Sequence, residues 1–459
     1  MKMLVFAVGV ASCISPALVG SALAQSRPDL TNGLVFDRDY SFLADPAKRT
    51  DLWDPVKYIP LGNDSYVSFS GEERLRYEDF FENPAFGIQA PSKDDYLLER
   101  SMLGADLHLG HLFRSFIQLS YTDVYGKTEP VGPNDRSLFE FQQAFVDVTP
   151  ATDWTIRAGR QEISLGSQRL VSYREGPNIR QSFDGVRVLY VTGNWNITSF
   201  FTHPVRTGLD SFSDASNLDQ TFWGVYATAP IPAAQSTYAD FYLLHLDRKD
   251  AIFAKGIGYE RRNSYGVRYF NSRQALDYNF EAVFQDGRFG SAHILAWTLA
   301  SDTGYSFSAP WSPRLGLNAD IASGDKGVGD SKLGTFNALF PRGAYFTENG
   351  LVGPANFIDL QPNMTLHPFS SLGVLIGVDD LWRESVEDAV YKQPNVPIPG
   401  TAGNPHRHTG IETFITPSWQ IDPHLSLTST FVWFEVDKAI RAAGGRNDGY
   451  WGTWLAYRF

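Results

Sequence analysis

Six arginines crowd between positions 157 and 187: Arg157, Arg160, Arg169, Arg174, Arg180 and Arg187. Glu162, Glu175 and Asp184 stand against them, so the stretch carries +3 within a chain of net charge −12. A guanidinium offers a planar fork that matches a carboxylate, and it keeps its charge at any working pH. Arginines that line a narrow pore attract and select anions. The competing use is structural, with each arginine paired to an inward Glu or Asp and the network filling the interior. The two uses are compatible, and the local excess of positive charge favours conduction. Arg74 and Arg76 join the candidates, because they fall on the polar side of an alternating run that also carries Ser68, Ser70 and Glu72.

The elements that must position these residues read as strands. In Tyr66 to Tyr77, Val67, Phe69, Leu75 and Tyr77 share one face and the polar residues share the other. A period of two means strand, since successive side chains point to opposite sides. The same alternation runs through Leu103 to Leu109, Tyr265 to Tyr269, Tyr278 to Phe284 and Leu315 to Ile321. Thr155, Arg157, Gly159 and Gln161 alternate with Trp154, Ile156 and Ala158, so Arg157 faces inward if Trp154 faces lipid. Arg187 lies opposite Val186 and Val188.

Short turn signals recur at Gly110-His111, Pro150-Ala151, Gly193-Asn194, Pro232-Ala233, Ser272-Arg273, Pro310-Trp311, His367-Pro368 and Asp422-Pro423. Longer loops are expected at 78–95, 124–137, 163–183, 203–219, 324–355 and 382–408. Eight short turns join nine hairpins, which predicts an all-β transmembrane antiparallel barrel of about 18 strands, with short periplasmic turns and long extracellular loops. Closure is obligatory because lipid cannot hydrogen-bond an open sheet edge. The last strand fits: Trp451, Thr453, Leu455, Tyr457 and the terminal Phe459 share a face.

The chain has 459 residues, and the first 24 read as a signal peptide. Lys2 precedes an apolar stretch that ends in Ala22-Leu23-Ala24, a small-residue cleavage pattern. A rival reading, Val10 to Cys13 as a lipoprotein box, suffers from the shortness of the apolar stretch before Cys13. Losing Lys2 with the leader takes the charge from −12 to −13, which argues against nucleic-acid binding. No later stretch is apolar enough for a membrane helix. Residues 25–60 read as an irregular N-terminal periplasmic segment, and 61–459 as the barrel.

Several runs carry a family resemblance: Gly159-Arg160-Gln161-Glu162, Leu165 to Ser172, Arg174 to Arg180, Ser182 to Arg187, and Leu333 to Pro341. They resemble the alginate export family over roughly residues 60–459. The resemblance implies a monomeric bacterial outer-membrane barrel whose arginine-rich lumen passes an anionic uronate polysaccharide, with a folded-in loop restricting leakage. It implies that Arg157 and Arg160 are selectivity arginines, Arg187 their partner, and Asp184 the acid that pairs with them when substrate is absent. The likeness lies with the broader membership rather than with the better-known alginate secretion members.

The remaining features read blandly. Ser323 to Asp330 lacks the spaced acids of a calcium loop, and His406 with His408 lacks further metal ligands nearby. Trp433, Trp451 and Trp454 read as interfacial aromatics. No cofactor is expected, nor is an enzyme: the histidines are scattered, and no nucleophile motif surrounds them. The expected partners are anionic polysaccharide and outer-membrane lipid, with a periplasmic export partner left open. A general porin for small sugars or organic acids is the alternative, an outer-membrane lipid hydrolase a remote one, and a secreted lectin or glycosidase a third class.

Overall fold

The structure, a computed structural model, describes residues 27–459 apart from 31, 32, 89, 91, 92, 129, 233, 272, 273 and 328. The expected leader, with Cys13 and its cleavage site, lies outside the described residues.

Eighteen long antiparallel strands form one closed wall. They are β1 (Ser65–Glu82), β2 (Asp94–Leu109), β3 (Phe113–Tyr125), β4 (Ser137–Ala151), β5 (Trp154–Glu162), β6 (Ser182–Thr192), β7 (Trp195–Arg206), β8 (Gln220–Pro230) and β9 (Thr237–Phe253), then β10 (Gly256–Asn271), β11 (Leu276–Phe289), β12 (Ala292–Ser306), β13 (Arg314–Ala322), β14 (Phe357–Phe369), β15 (Leu372–Trp382), β16 (His408–Gln420), β17 (Leu425–Val436) and β18 (Asp448–Arg458). Each strand pairs with its chain neighbours, and β1 closes on β18 from Glu72↔Arg458 to Glu82↔Gly449. The terminal Phe459 extends that seam by exchanging two 3.0 Å backbone hydrogen bonds with Gly71. A Cβ on Gly71 would lie 2.1 Å from the Phe459 ring, so the seam needs glycine there.

Alternation sorts the side chains as a barrel requires. On β3, Ile117 and Leu119 are exposed, whereas Phe116, Gln118 and Ser120 are buried. The same sorting places Leu103, Ile156, Val186, Phe241, Val267, Leu299 and Leu455 on a continuous apolar exterior. Stacked aromatics such as Trp154 on Tyr190 and Tyr269 on Tyr278 mark its rim at the short turns.

Six of the eight expected short turns fall on one rim, within a few residues of their predicted places, and Ala233 of the Pro232-Ala233 turn and both residues of Ser272-Arg273 lie outside the described residues. The six expected long loops fall on the other, as 83–93, 126–136, 163–181, 207–219, 323–356 and 383–407. A seventh, 437–447, was not foreseen. Nor were two tight connections on that same rim, 254–255 and 290–291. These join β9 to β10 and β11 to β12, strands of 14 to 17 residues.

Three loops turn inward and make the core. Loop 163–181 and loop 323–356 meet at a parallel bridge between Val171 and Phe340, and the Phe340 ring packs on Phe183 and Phe222 of the wall. Loop 383–407 adds Ala389 and Tyr391 to the same cluster. From the opposite rim, residues 33–58 enter as short helical turns, and Ile59–Gly62 then pairs antiparallel with the start of β1. Leu34 and Phe36 bury against Phe116, Phe145 and Tyr173, so this segment lies partly within the lumen. Trp53 stays at the rim, stacked 3.9 Å from the Phe459 ring.

Candidate functional site

Loop 163–181 is drawn against the lumen wall by arginines. On β1, Arg74 donates to the carbonyls of Glu175 (2.8 Å) and Pro177 (3.1 Å). Arg76 pairs with Glu78 at 2.6 Å, donates to the Tyr450 hydroxyl at 2.9 Å and to the Gly176 carbonyl at 3.1 Å. Arg100 of β2 bonds Glu72 at 2.7 Å and Glu175 at 2.6 Å. Arg180, on the loop itself, reaches Glu175 at 2.5 Å and Glu72 at 3.3 Å. Arg458 of β18 does the same at 3.3 and 2.7 Å. Four guanidiniums, those of Arg74, Arg100, Arg180 and Arg458, therefore share two carboxylates. Burial alone would raise Glu175, but Arg100 and Arg180 overcome it and bring the carboxyl down to about 2. Asn178 completes the clamp: its amide donates to the carbonyls of Glu99, Asp123 and Asp135.

Nearer the short-turn rim, Arg157 and Arg187 are direct cross-strand neighbours with inward side chains. Arg157 forks onto Asp147 with two 2.8 Å bonds. Its guanidinium lies 3.9 Å from the Phe145 ring and 4.3 Å from Phe36, and its Nη1 is buried without a hydrogen-bond partner. Arg187 donates to the Thr198 hydroxyl at 2.7 Å. Among the described residues no carboxylate lies within ion-pair distance of Arg187 or Arg174. Arg174 donates to the Pro341 carbonyl at 3.2 Å, and burial lowers it to about 10.

Arg169 crosses to the other side of the lumen and pairs with Asp320 at 3.2 Å. That side is acidic: Glu281, Asp320, Asp359, Asp379 and Glu412 project inward from β11 and from β13 to β16. The lumen thus differs across its width, with arginines interleaved with paired acids such as Glu72, Glu78 and Asp106 along β18, β1, β2, β5 and β6, and an excess of acids opposite.

Two expected pore residues lie elsewhere. Arg160 and Asp184 are paired at 2.8 Å, but alternation puts both on the outward side of the wall. They share faces with Ala158 and Val186 and are covered by loop 207–219, whose Ser216 donates to Asp184 at 2.6 Å. Trp454 departs in the other direction: it faces inward, with the Arg76 guanidinium 4.6 Å from its ring, rather than marking the membrane interface. Arg100 and Arg458 were missed as site residues. Carrying the alternation of Leu103 to Leu109 back three residues would have placed Arg100 inside. In loop 323–356, Asp325 and Asp330 both bind the Lys255 ammonium, at 3.0 and 2.9 Å. His408 sits between Asp380 and Asp437 at 2.6 and 2.8 Å.

The alginate export family matches residues 65–453. The chain belongs to that family. Solved structures agree on the architecture. A BenF-like porin from Pseudomonas fluorescens Pf-5 superposes with a TM-score of 0.61 at 10% identity, covering 86% of this chain and 98% of that one. OccK2 (OpdF) of Pseudomonas aeruginosa, solved in complex with glucuronate, gives 0.58 at 10% identity over 86% and 98%. OccAB1 of Acinetobacter baumannii gives 0.58 at 12% over 88% and 98%. No curated protein sequence matches. This alginate-export-family barrel is an outer-membrane channel of the bacterial envelope, and the family and its structural neighbours are porins and export channels.

Proposed function

We propose that the channel passes uronate-type anionic saccharides by passive diffusion, with selectivity set by lumen arginines. The sharing of two carboxylates among the guanidiniums of Arg74, Arg100, Arg180 and Arg458 carries this reading. A passing carboxylate feels a cluster in which these four guanidiniums outnumber Glu72, Glu175 and Glu162, and the fork geometry of arginine favours two parallel bonds. Arg157, Arg187 and Arg174 extend the basic surface. The overall charge of −12 does not oppose anion entry, because the narrowest zone decides selectivity. On this reading the chain works as a monomer, with lipid on its outer belt and saccharide in its lumen. A periplasmic export partner would dock at the short-turn rim.

A second reading, passage of monomeric organic acids, draws support from the three inward loops and the N-terminal segment that occupy the lumen. Planar-bilayer recordings of the refolded chain separate the two. Anion-selective current blocked by oligouronates supports the saccharide. Anion-selective current indifferent to oligouronates, with monomer flux into liposomes, supports the small acid. Cation-selective current overturns both.

A further inference from the structure

The segment that enters from the short-turn rim presents, side by side, a phenyl ring and a carboxylate. Phe36 packs its ring 5.2 Å from Phe145 and 5.9 Å from Phe116, edge-on to both, with the Arg157 guanidinium against its face. Its carbonyl accepts from Arg114. Asp37, the next residue, is exposed at its surface, and the charges acting on its carboxylate are the cations of Arg157, Arg187 and Arg114, opposed by Asp147 and by the burial that raises the carboxyl. Asp37 makes no ion pair within 4 Å among the described residues, so it faces these cations without closing on them. Tyr173, from loop 163–181, packs on the same cluster from the other side. A segment from one end and a loop from the other thus close the basic flank of the lumen together.

The attachment of residues 34–37 is made without strand pairing. Residues 27–58 add no strand to the barrel wall and hold only short helical turns. Around residues 34–37 the links to the wall are an apolar cluster, the Arg157 guanidinium on the Phe36 ring and the bond from Arg114. Segments that lack sheet pairing open more readily than the strands they lie on. The site beneath is incomplete without a ligand: Arg157 keeps a buried Nη1 with no partner, and Arg187 has only the Thr198 hydroxyl.

We propose that residues 34–38 are a tethered internal ligand of the Arg157–Arg187 site, which a ring-borne carboxylate, sugar acid or aromatic acid, displaces to open that flank of the lumen. A ring takes the place of Phe36 beside Phe145 and Arg157, and its carboxylate takes Arg157 Nη1 and the Arg187 guanidinium, which Asp37 only approaches. This rests on the anion-channel reading and adds to it a named site and a moving part.

The test uses the full chain carrying Cys13→Ser and Leu34→Cys, since Leu34 is buried in the cluster. Labelling by N-ethylmaleimide is timed in buffer, in glucuronate and in benzoate, while selectivity is recorded on the same protein in a bilayer. Displacement predicts slow labelling that either acid accelerates about tenfold, because a ligand can populate the open form only by binding it preferentially. Phe36→Ala, in the parent chain, should raise conductance and abolish the acceleration by acid when combined with Leu34→Cys. Labelling unchanged by both acids, together with intact anion selectivity and a Phe36→Ala conductance equal to the parent's, makes the segment a fixed part of the wall and overturns the inference alone. Cation selectivity overturns the channel reading, and unchanged labelling in that protein overturns the inference with it.

Discussion

Arg157 and Arg160 are three residues apart on one strand, and the wall separates their roles. Arg157 faces the lumen beside Arg187, whereas Arg160 spends its guanidinium on Asp184 and the Phe141 carbonyl outside it. Replacing Arg157 and Arg187 together by Ala should lower the anion-to-cation permeability ratio by about tenfold, the size expected when two poorly screened charges leave a narrow passage. Arg160→Ala should stay within about twofold of the parent, since its charge lies behind the barrel wall and is already neutralised. Reversal potentials in a salt gradient measure both. Glu175 gives a pH prediction. Its carboxyl is more acidic in the folded protein, near 2, than the ordinary value of about 4.3. A depressed carboxylate contributes its stabilisation fully above its unfolded pKa and loses it as pH falls through the folded one. Loop 163–181 should therefore resist limited proteolysis equally from pH 8 down to about 5, and Glu175→Gln should expose it at every pH in that range.

At the scale of elements, the decisive feature is a loop held by backbone as much as by charge. Asn178 alone sets the two N–H groups of its amide among three carbonyls on β2, β3 and the loop before β4, and it accepts from Arg74 at 3.3 Å. Asn178→Ala leaves those groups without their donor, an expected cost of about 1–3 kcal/mol. Denaturant unfolding of the refolded barrel reads the loss, and a larger single-channel conductance should accompany it because the loop no longer hugs β1 and β2. The elements also show how far sequence reading reaches. Period-two runs and turn residues gave the strand number and the short-turn rim, because both are local properties. The tight outer turns at 254–255 and 290–291 escaped, since Ala254-Lys255 and Gly290-Ser291 look no different from residues within a longer loop.

Across the whole molecule, the outward belt is the structural commitment. Leu299 lies midway along β12 with 53% of its surface exposed, on the face that meets acyl chains. Leu299→Arg should destabilise the folded barrel by about 2–4 kcal/mol, the range for a cation placed near the bilayer midplane. Guanidinium titration in lipid vesicles would report it, and a shift below about 0.5 kcal/mol would mean this face does not meet lipid. The interior obeys different rules: one wall carries arginines interleaved with acids such as Glu72 and Asp147, and the opposite wall is richer in acids, so a solute crosses a transverse field rather than a uniform positive tube.

The chain itself dictated the closed all-β wall, because alternation and turn chemistry act over a few residues and lipid forbids an open edge. It also marked Arg157 and Arg187 as inward, and the same alternation, followed strictly from Trp154 and Val186, already set Arg160 and Asp184 on the other face. Only the tertiary structure brought Arg74, Arg100, Arg180 and Arg458 around Glu72 and Glu175. These residues come from β1, β2, β18 and an inward loop, and Glu72 and Arg458 lie 386 positions apart in the chain. Curvature of the sheet makes them neighbours, and no local pattern encodes where a loop folded through the lumen will come to rest.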